Sequence, residues 1–241
     1  NTKSTLKKEY NLIELDSVQS AFSIKPDLTV ISTPSSLHIE YMFKAVKNGS
    51  AVFVEKPWSN NLNRFSEFRD LIINKKTAFN ISFQRRYDNK ISKVNKLIKN
   101  GKIGKLISAS FNVFSNVPFW HPYEDWKKLY AVNANMGGGV LLTEIHEIDL
   151  VCWFFGVPNE VFCVGGNRSE EKLDIEDTVQ ITLIYDDFSV QITLCFMHKK
   201  QSRNFHIAGS FGDISWDGST NKLIFSSFDD ISHSFTDDEH T

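Results

Sequence analysis

The chain has only three cysteines, Cys152, Cys163 and Cys195, and none forms a C-x-x-C pair. That excludes a disulfide framework and argues against zinc or thiol redox chemistry, so no metal is expected. The thiols are expected to be buried and reduced, which points to the cytoplasm. No apolar run approaches the ~20 residues of a membrane span. Asn1 to Tyr10 is polar and basic, without the apolar stretch of a signal peptide. Charge of one sign is also lacking: 27 Lys and Arg stand against 29 Asp and Glu, a net of -2. No field therefore draws nucleic acid or an anionic membrane, and neither is expected as a partner. Nor does any G-x-G-x-x-G phosphate loop occur among the 12 glycines.

What is present is an ordinary globular balance, 41% hydrophobic and 23% charged. A chain of 241 residues suits one large domain or two modest ones. The first part alternates short apolar runs with amphipathic segments. Residues 10–15 read as a strand and 17–24 as a short helix. Residues 28–33, "LTVIST", read as a strand buried on both faces. A helix over 35–49 follows, capped by Ser35 or Ser36 and stopped at Gly49. "AVFVEKP" is the next strand, 62–75 a helix with apolar positions 62, 65, 68, 71 and 72, and 77–83 a further strand. This alternation predicts a parallel sheet.

After Phe83 the pattern changes. A helix over 89–101, with its lysines on a solvated face, precedes an alternating run at 105–117. A helix follows the glycine triplet 137–139, and then strand-like runs succeed one another to residue 228, joined by Asp/Gly turns. That favours a mostly antiparallel open sheet. The fold expected is α/β: an incomplete Rossmann-type parallel sheet over 1–84, then an α+β domain over 85–241.

Two strands of the first part end in proline-punctuated turns, Ser32-Thr33-Pro34 and Glu55-Lys56-Pro57. Ligands of open parallel sheets bind outside the carboxyl ends of the strands. Proline keeps Lys56 extended, and the Lys56–Pro57 bond is open to the cis form. Lys56 is then either a surface lysine or a compact donor to a substrate hydroxyl. In "GGGVLLTEIHEIDLVCWFFG", residues 137–156, the glycines allow close approach by a ligand or another backbone. Thr143, His146 and Asp149 recur every third residue, about 60° apart on one helix. That helix is so apolar that His146 is expected to be buried. It is either a satisfied core histidine or a base for a hydroxyl proton.

"DLTVISTPSSLHIEYMFKAVKNGSAVFVEKP" together with "GGGVLLTEIHEIDLVCWFFG" resembles the glucose–fructose oxidoreductase / inositol dehydrogenase / MocA family. The resemblance runs from about Tyr10 to the C-terminus. It implies a Rossmann domain that binds NAD or NADP, and a second domain whose open sheet carries the substrate site and makes homo-oligomer contacts, as a dimer or tetramer. It implies hydride transfer between nicotinamide and a hydroxyl carbon of a sugar, inositol or sugar derivative. Lys56 and His146 match the catalytic pair, an ammonium and an imidazole converging on one oxygen. Thr33, Pro34, His38, Glu55, Lys56 and Pro57 form the cofactor-lining set.

Arg85, Tyr87, Trp120, Thr143 and His146 form the substrate set, with Gln84 beside them. Gln84, Arg85 and Tyr87 are alternatively hinge packing, and "FWHPYEDWKKLY" (119–130) is an aromatic cover for a sugar or a packed surface loop. Lys127 or Lys128 is placed to meet an acidic group, and His121 reads as a loop residue. Relatives often carry Asp where Thr143 stands, and threonine brings no charge. The family's glycine fingerprint lies one βαβ unit upstream, so roughly 30 or more residues are expected to be missing ahead of Asn1. The family's final helix is missing after Thr241, and the chain is expected to be incomplete or degenerate. Two other functions stay open: a non-catalytic binding or scaffold protein, and an NAD-dependent relative that cleaves glycosides by transient oxidation.

Overall fold

The computed structural model describes residues 8–228 and the backbone of 235–236. The chain divides into two compact units, one of Asn1–Thr33 with Leu37–Ser82, the other of Pro34–Ser36 with Phe83–Thr241.

In the first unit, strands β1 (Leu28–Ile31), β2 (Ala51–Glu55) and β3 (Phe79–Ser82) pair in parallel in that order. Helix α1 (Val18–Ser23) precedes β1, α2 (His38–Lys47) links β1 to β2, and α3 (Phe65–Lys75) links β2 to β3. Ser17 caps α1 by accepting from the Ser20 amide. Gly49, at φ +84°, takes the left-handed position after α2. The core joins Ile31, Val52 and Val54 to Met42, Phe43, Val46 and Phe68.

Four local expectations fail here. Residues 10–15 form no strand; Leu12 and Ile13 are exposed. β1 is buried on one face only: Ile31 is buried, while Leu28 and Val30 lie open. β-branched residues fit a half-buried strand as well as a buried one, so composition could not separate the two. Ser35 and Ser36 belong to a 3-10 turn, Ser35–Leu37, and α2 has no side-chain cap. Leu62 precedes α3 and is exposed.

The second unit is built on one eight-stranded sheet in the order β11-β10-β9-β8-β4-β7-β6-β5. Its strands are β4 (Leu106–Asn116), β5 (Glu160–Gly166), β6 (Thr178–Ile184), β7 (Ser189–Cys195), β8 (Met197–Gly209), β9 (Gly212–Asp217), β10 (Lys222–Ser227) and β11 (Phe235–Thr236). Among the described residues of this sheet, only β4 and β7 pair in parallel. The chain is thus α/β, a parallel sheet followed by a mostly antiparallel one. Alternation sorts the faces: Phe111, Val113, Ile192, Leu194, Ile207 and Leu223 are buried, and Gln180 and Gln191 lie exposed on the other side.

Helix α4 (Asn89–Lys99) is capped by Asp88, which accepts from the Lys90 and Ile91 amides. The expected helix after the glycines is two, α5 (Val140–Thr143) and α6 (His146–Phe155). The cysteines depart from expectation: Cys163 is exposed, and Cys152 and Cys195 are half-buried. Among the described residues, no helix is long and apolar enough to cross a membrane, and no group of three or more His, Cys, Asp or Glu could hold a metal.

Asp177, fully buried, pins the loop before β6. Its carboxylate accepts from the Arg168 and Ser169 amides and from the Ser169 and Thr178 hydroxyls. Burial pushes its pKa up, but these hydrogen bonds together hold it below the ordinary carboxylate value. A depressed folded-state pKa contributes stability that is present above the unfolded value, ~3.9, and is lost as pH falls through the folded value. Asp177→Asn should therefore cost about 1–3 kcal/mol at neutral pH. It should also flatten the acid limb of stability below about pH 4, read from urea midpoints across pH.

Candidate functional site

In the first unit, Ile31 of β1 pairs with Val54 of β2, so both strands end at the same edge of the sheet. Thr33-Pro34 and Glu55-Lys56-Pro57 leave from that edge, with Thr33, Pro34, Glu55 and Lys56 half-buried and Pro57 buried. The Lys56–Pro57 peptide is cis. His38, the first residue of α2, reaches both turns: Nδ1 is 2.8 Å from the Pro57 carbonyl oxygen and Nε2 2.8 Å from that of Thr33. The Thr33 hydroxyl is buried without a hydrogen-bond partner among the described residues. A buried orphan donor at a strand's carboxyl end fits a ligand that brings an acceptor there.

In the second unit the glycine triplet is compressed by its own chain. A Cβ on Gly138 would lie 2.5 Å from the Tyr130 carbonyl oxygen. One on Gly139, at φ +109°, would lie 2.4 Å from a Glu176 carboxylate oxygen. The close approach belongs to backbone and to Glu176, not to a phosphate. Glu176 accepts from the Leu141 amide at 3.0 Å, and its carbonyl accepts from the Val140 amide at 3.0 Å. The loop pinned by Asp177 thereby fixes the start of α5.

The α5–α6 interruption falls at Glu144 and Ile145. Thr143 and His146 accordingly sit on different helices, which corrects the single-face reading. Both are buried. His146 packs edge-on against Phe83, with ring centroids 6.2 Å apart. Asp149, one turn on, takes a bidentate ion pair from Arg86, with Nε to Oδ2 at 2.8 Å. That hydrogen bond raises the guanidinium's pKa further. Burial and Asp149 together push the Cys152 thiol up.

Sequence reasoning missed the other half of this arrangement. Glu144 and Glu147, both buried, share Arg203 of β8: its Nη2 bonds Glu144, and its Nε lies 3.2 Å from Glu147. Ser115 of β4 donates to Glu144 at 2.9 Å. The signal was available. "TEIHEID" places three carboxylates in an apolar segment, and buried carboxylates require cations.

A cavity of about 630 Å³ opens beside this pair, lined among others by Arg85, Phe114, Ser115, Trp120, Glu144, Arg203 and Trp216. Two of the expected substrate residues, Arg85 and Trp120, are in its wall; Thr143 and His146, both buried, and Tyr87, mostly exposed, are not. Arg203 and Arg86 are spent on carboxylates, whereas Arg85 has no charged partner among the described residues. Trp120 is half-buried and meets Phe196 edge-on at 5.5 Å, so it is part of a packed wall. Lys127 and Lys128 meet acids of their own chain, Glu171 at 2.9 Å and Asp125 at 3.6 Å.

Residues 2–83 match the model of the oxidoreductase family's NAD-binding Rossmann fold, and residues 91–215 match the GFO/IDH/MocA C-terminal domain. The chain is 30% identical over 168 residues to 2,7-anhydro-N-acetylneuraminate hydratase of Escherichia coli (strain K12), covering 66% of this chain and 42% of that protein. It resembles the WlbA dehydrogenase of Bordetella pertussis, solved with NADH and UDP-GlcNAcA, at a TM-score of 0.80 and 19% identity over 91% of this chain and 69% of that one. Aldose-aldose oxidoreductase of Caulobacter crescentus, solved with glycerol, matches at 0.84 and 18% over 99% and 72%. At these identities the structures establish the fold alone. The chain spans about half the length of the curated relatives it matches.

Removing Arg203 leaves two buried carboxylates without their cation. Arg203→Met should cost about 3–5 kcal/mol in a denaturant titration. Arg203→Met combined with Glu144→Gln and Glu147→Gln should recover much of the loss.

Proposed function

The chain belongs to the GFO/IDH/MocA family of oxidoreductases, and from that premise we propose that it serves hydride transfer at a hydroxyl carbon of a sugar, inositol or sugar derivative. The observation that carries the reading is the common edge at which β1 and β2 end, with Thr33-Pro34 and Glu55-Lys56-Pro57 side by side. Thr33, Pro34, Glu55, Lys56 and Pro57 would hold NAD or NADP, and the orphaned Thr33 hydroxyl fits such a group. When bound, the cofactor supplies the hydride acceptor or donor.

In the oxidising direction His146 takes the hydroxyl proton as general base. Lys56 donates to a substrate oxygen and steadies the negative charge that develops there. The 630 Å³ cavity suits a polyol. Trp120 and Trp216 offer apolar faces to sugar C–H surfaces, Ser115 and Glu144 meet hydroxyls, and Arg85 is available to an acidic substituent. Thr143 brings a hydroxyl in place of the carboxylate common in relatives. Assembly as a homo-oligomer through the exposed sheet face and residence in the cytoplasm belong to the same proposal.

A second reading is favoured by two relatives that are named as hydratases. Adding or removing water leaves no net redox change, so NAD would be used catalytically and regenerated within each turnover.

Lys56→Ala and His146→Ala should each lower turnover by about 10²–10⁴-fold with an unchanged circular dichroism spectrum. Wild-type turnover in either variant removes its assigned role. Product formation that continues far beyond one equivalent of added NAD selects the redox-neutral reading. Stoichiometric NADH selects the dehydrogenase.

A further inference from the structure

The two arginines of "QRRY" stand side by side on a 3-10 turn, Gln84–Tyr87, and have different surroundings. Arg86 closes on Asp149. Arg85 is half-buried in the wall of the cavity of about 630 Å³ and has no charged partner among the described residues. Its backbone is held on both sides. The Arg86 amide donates to the Phe83 carbonyl at 3.1 Å, the Asp88 amide donates to the Arg85 carbonyl at 3.2 Å, and Asp88 then caps α4. The other charges of the wall have partners. Glu144 meets Arg203 and Ser115, and Oδ1 of Asp88 accepts from the Lys90 and Ile91 amides. The Lys90 ammonium donates to the carbonyl of Asn221, itself a wall residue. One guanidinium is left with its fork of donors open.

We propose that the ligand of this cavity carries a carboxylate, a sugar acid rather than an uncharged sugar, and that Arg85 is the residue that selects it. That the ligand is the substrate rests on the function proposed above; that the cavity takes a carboxylate does not. A carboxylate offers two oxygens in one plane, which match the paired N–H donors of a guanidinium. The resulting hydrogen bonds are stronger than those a neutral hydroxyl makes. A dianionic phosphate fits less well. One open guanidinium balances one negative charge, and Asp88 and Glu144 in the same wall repel a second. Arg203 does not compete for the anion, because Glu144 and Glu147 hold it. Phe114, Trp120 and Trp216 line the same cavity and offer apolar surface to the body of the sugar. An arginine presented from a fixed turn also loses little freedom on binding.

Calorimetric titration of the full chain with D-glucuronate, D-galacturonate and D-gluconate, each beside its uncharged counterpart (glucose, galactose and glucitol), tests this. At least one acid should bind about ten- to a hundredfold more tightly than its counterpart. Arg85→Met should erase that preference. Arg85→Lys, which keeps the charge without the planar fork, should retain only part of it. If no acid is preferred, or if the preference survives Arg85→Met, carboxylate selection by Arg85 is overturned. Tighter binding of glucose phosphate than of every acid also overturns it. If Arg85→Met does not fold, the preference of the unaltered chain and its decline in Arg85→Lys decide the matter. An acid preference with no NADH formed leaves the carboxylate site standing and removes hydride transfer. NADH formed from the uncharged sugars alone does the reverse.

Discussion

An ionised carboxylate taken out of water must meet a cation or neutralise, and the stretch from Glu144 to Asp149 buries three. Everything around His146 follows from how that demand is met. Arg86 arrives from the turn after β3 and closes on Asp149 in a two-pronged pair. Arg203 arrives from β8, far along the chain, and spans Glu144 and Glu147. The two guanidiniums grip α6 from different directions. A helix gripped this way has little freedom to rotate or slide, so the His146 ring keeps its edge-on place against Phe83. Such pairs add little net stability compared with an apolar core, but they are costly to break and specific in geometry. That combination suits a segment whose position matters more than its strength.

The first unit solves a related problem with a neutral backbone. Where a parallel ladder ends, carbonyls point out of the strands with no partner strand to receive them. At the ends of β1 and β2 the Thr33 and Pro57 carbonyls turn to His38. One ring therefore sits between the two strand ends, where the next ladder rung would have been. The Thr33 hydroxyl is left over, buried and unsatisfied among the described residues. A folded chain rarely leaves such a group without cause, and the carboxyl edge of a parallel sheet is where ligands are met.

How much of this was legible depended on range. Strand against helix, and the change from parallel to antiparallel pairing, could be read because hydrophobic period and turn residues are local. The β1 face could not be read, because "LTVI" suits one covered face or two and only tertiary packing decides. The split of α5 from α6 was hidden for a similar reason. Nothing in "LLTEIHEID" forbids a continuous helix. The interruption comes with the tertiary ties of Glu144, to Ser115 of β4 and Arg203 of β8. Lys56 and His146 stood out through motif and resemblance. Arg203 did not, since one arginine in the run "KKQSRNF" looks like surface charge until its face of β8 is known.

The same charges bear on the departure at Thr143. Three carboxylates on this stretch, Glu144, Glu147 and Asp149, meet the two guanidiniums of Arg86 and Arg203. Thr143 is buried too, and a further carboxylate there would be costly unless it was paired in its turn. Threonine brings a hydroxyl to that position without that cost. In the proposed role it bears on what the site can hydrogen-bond.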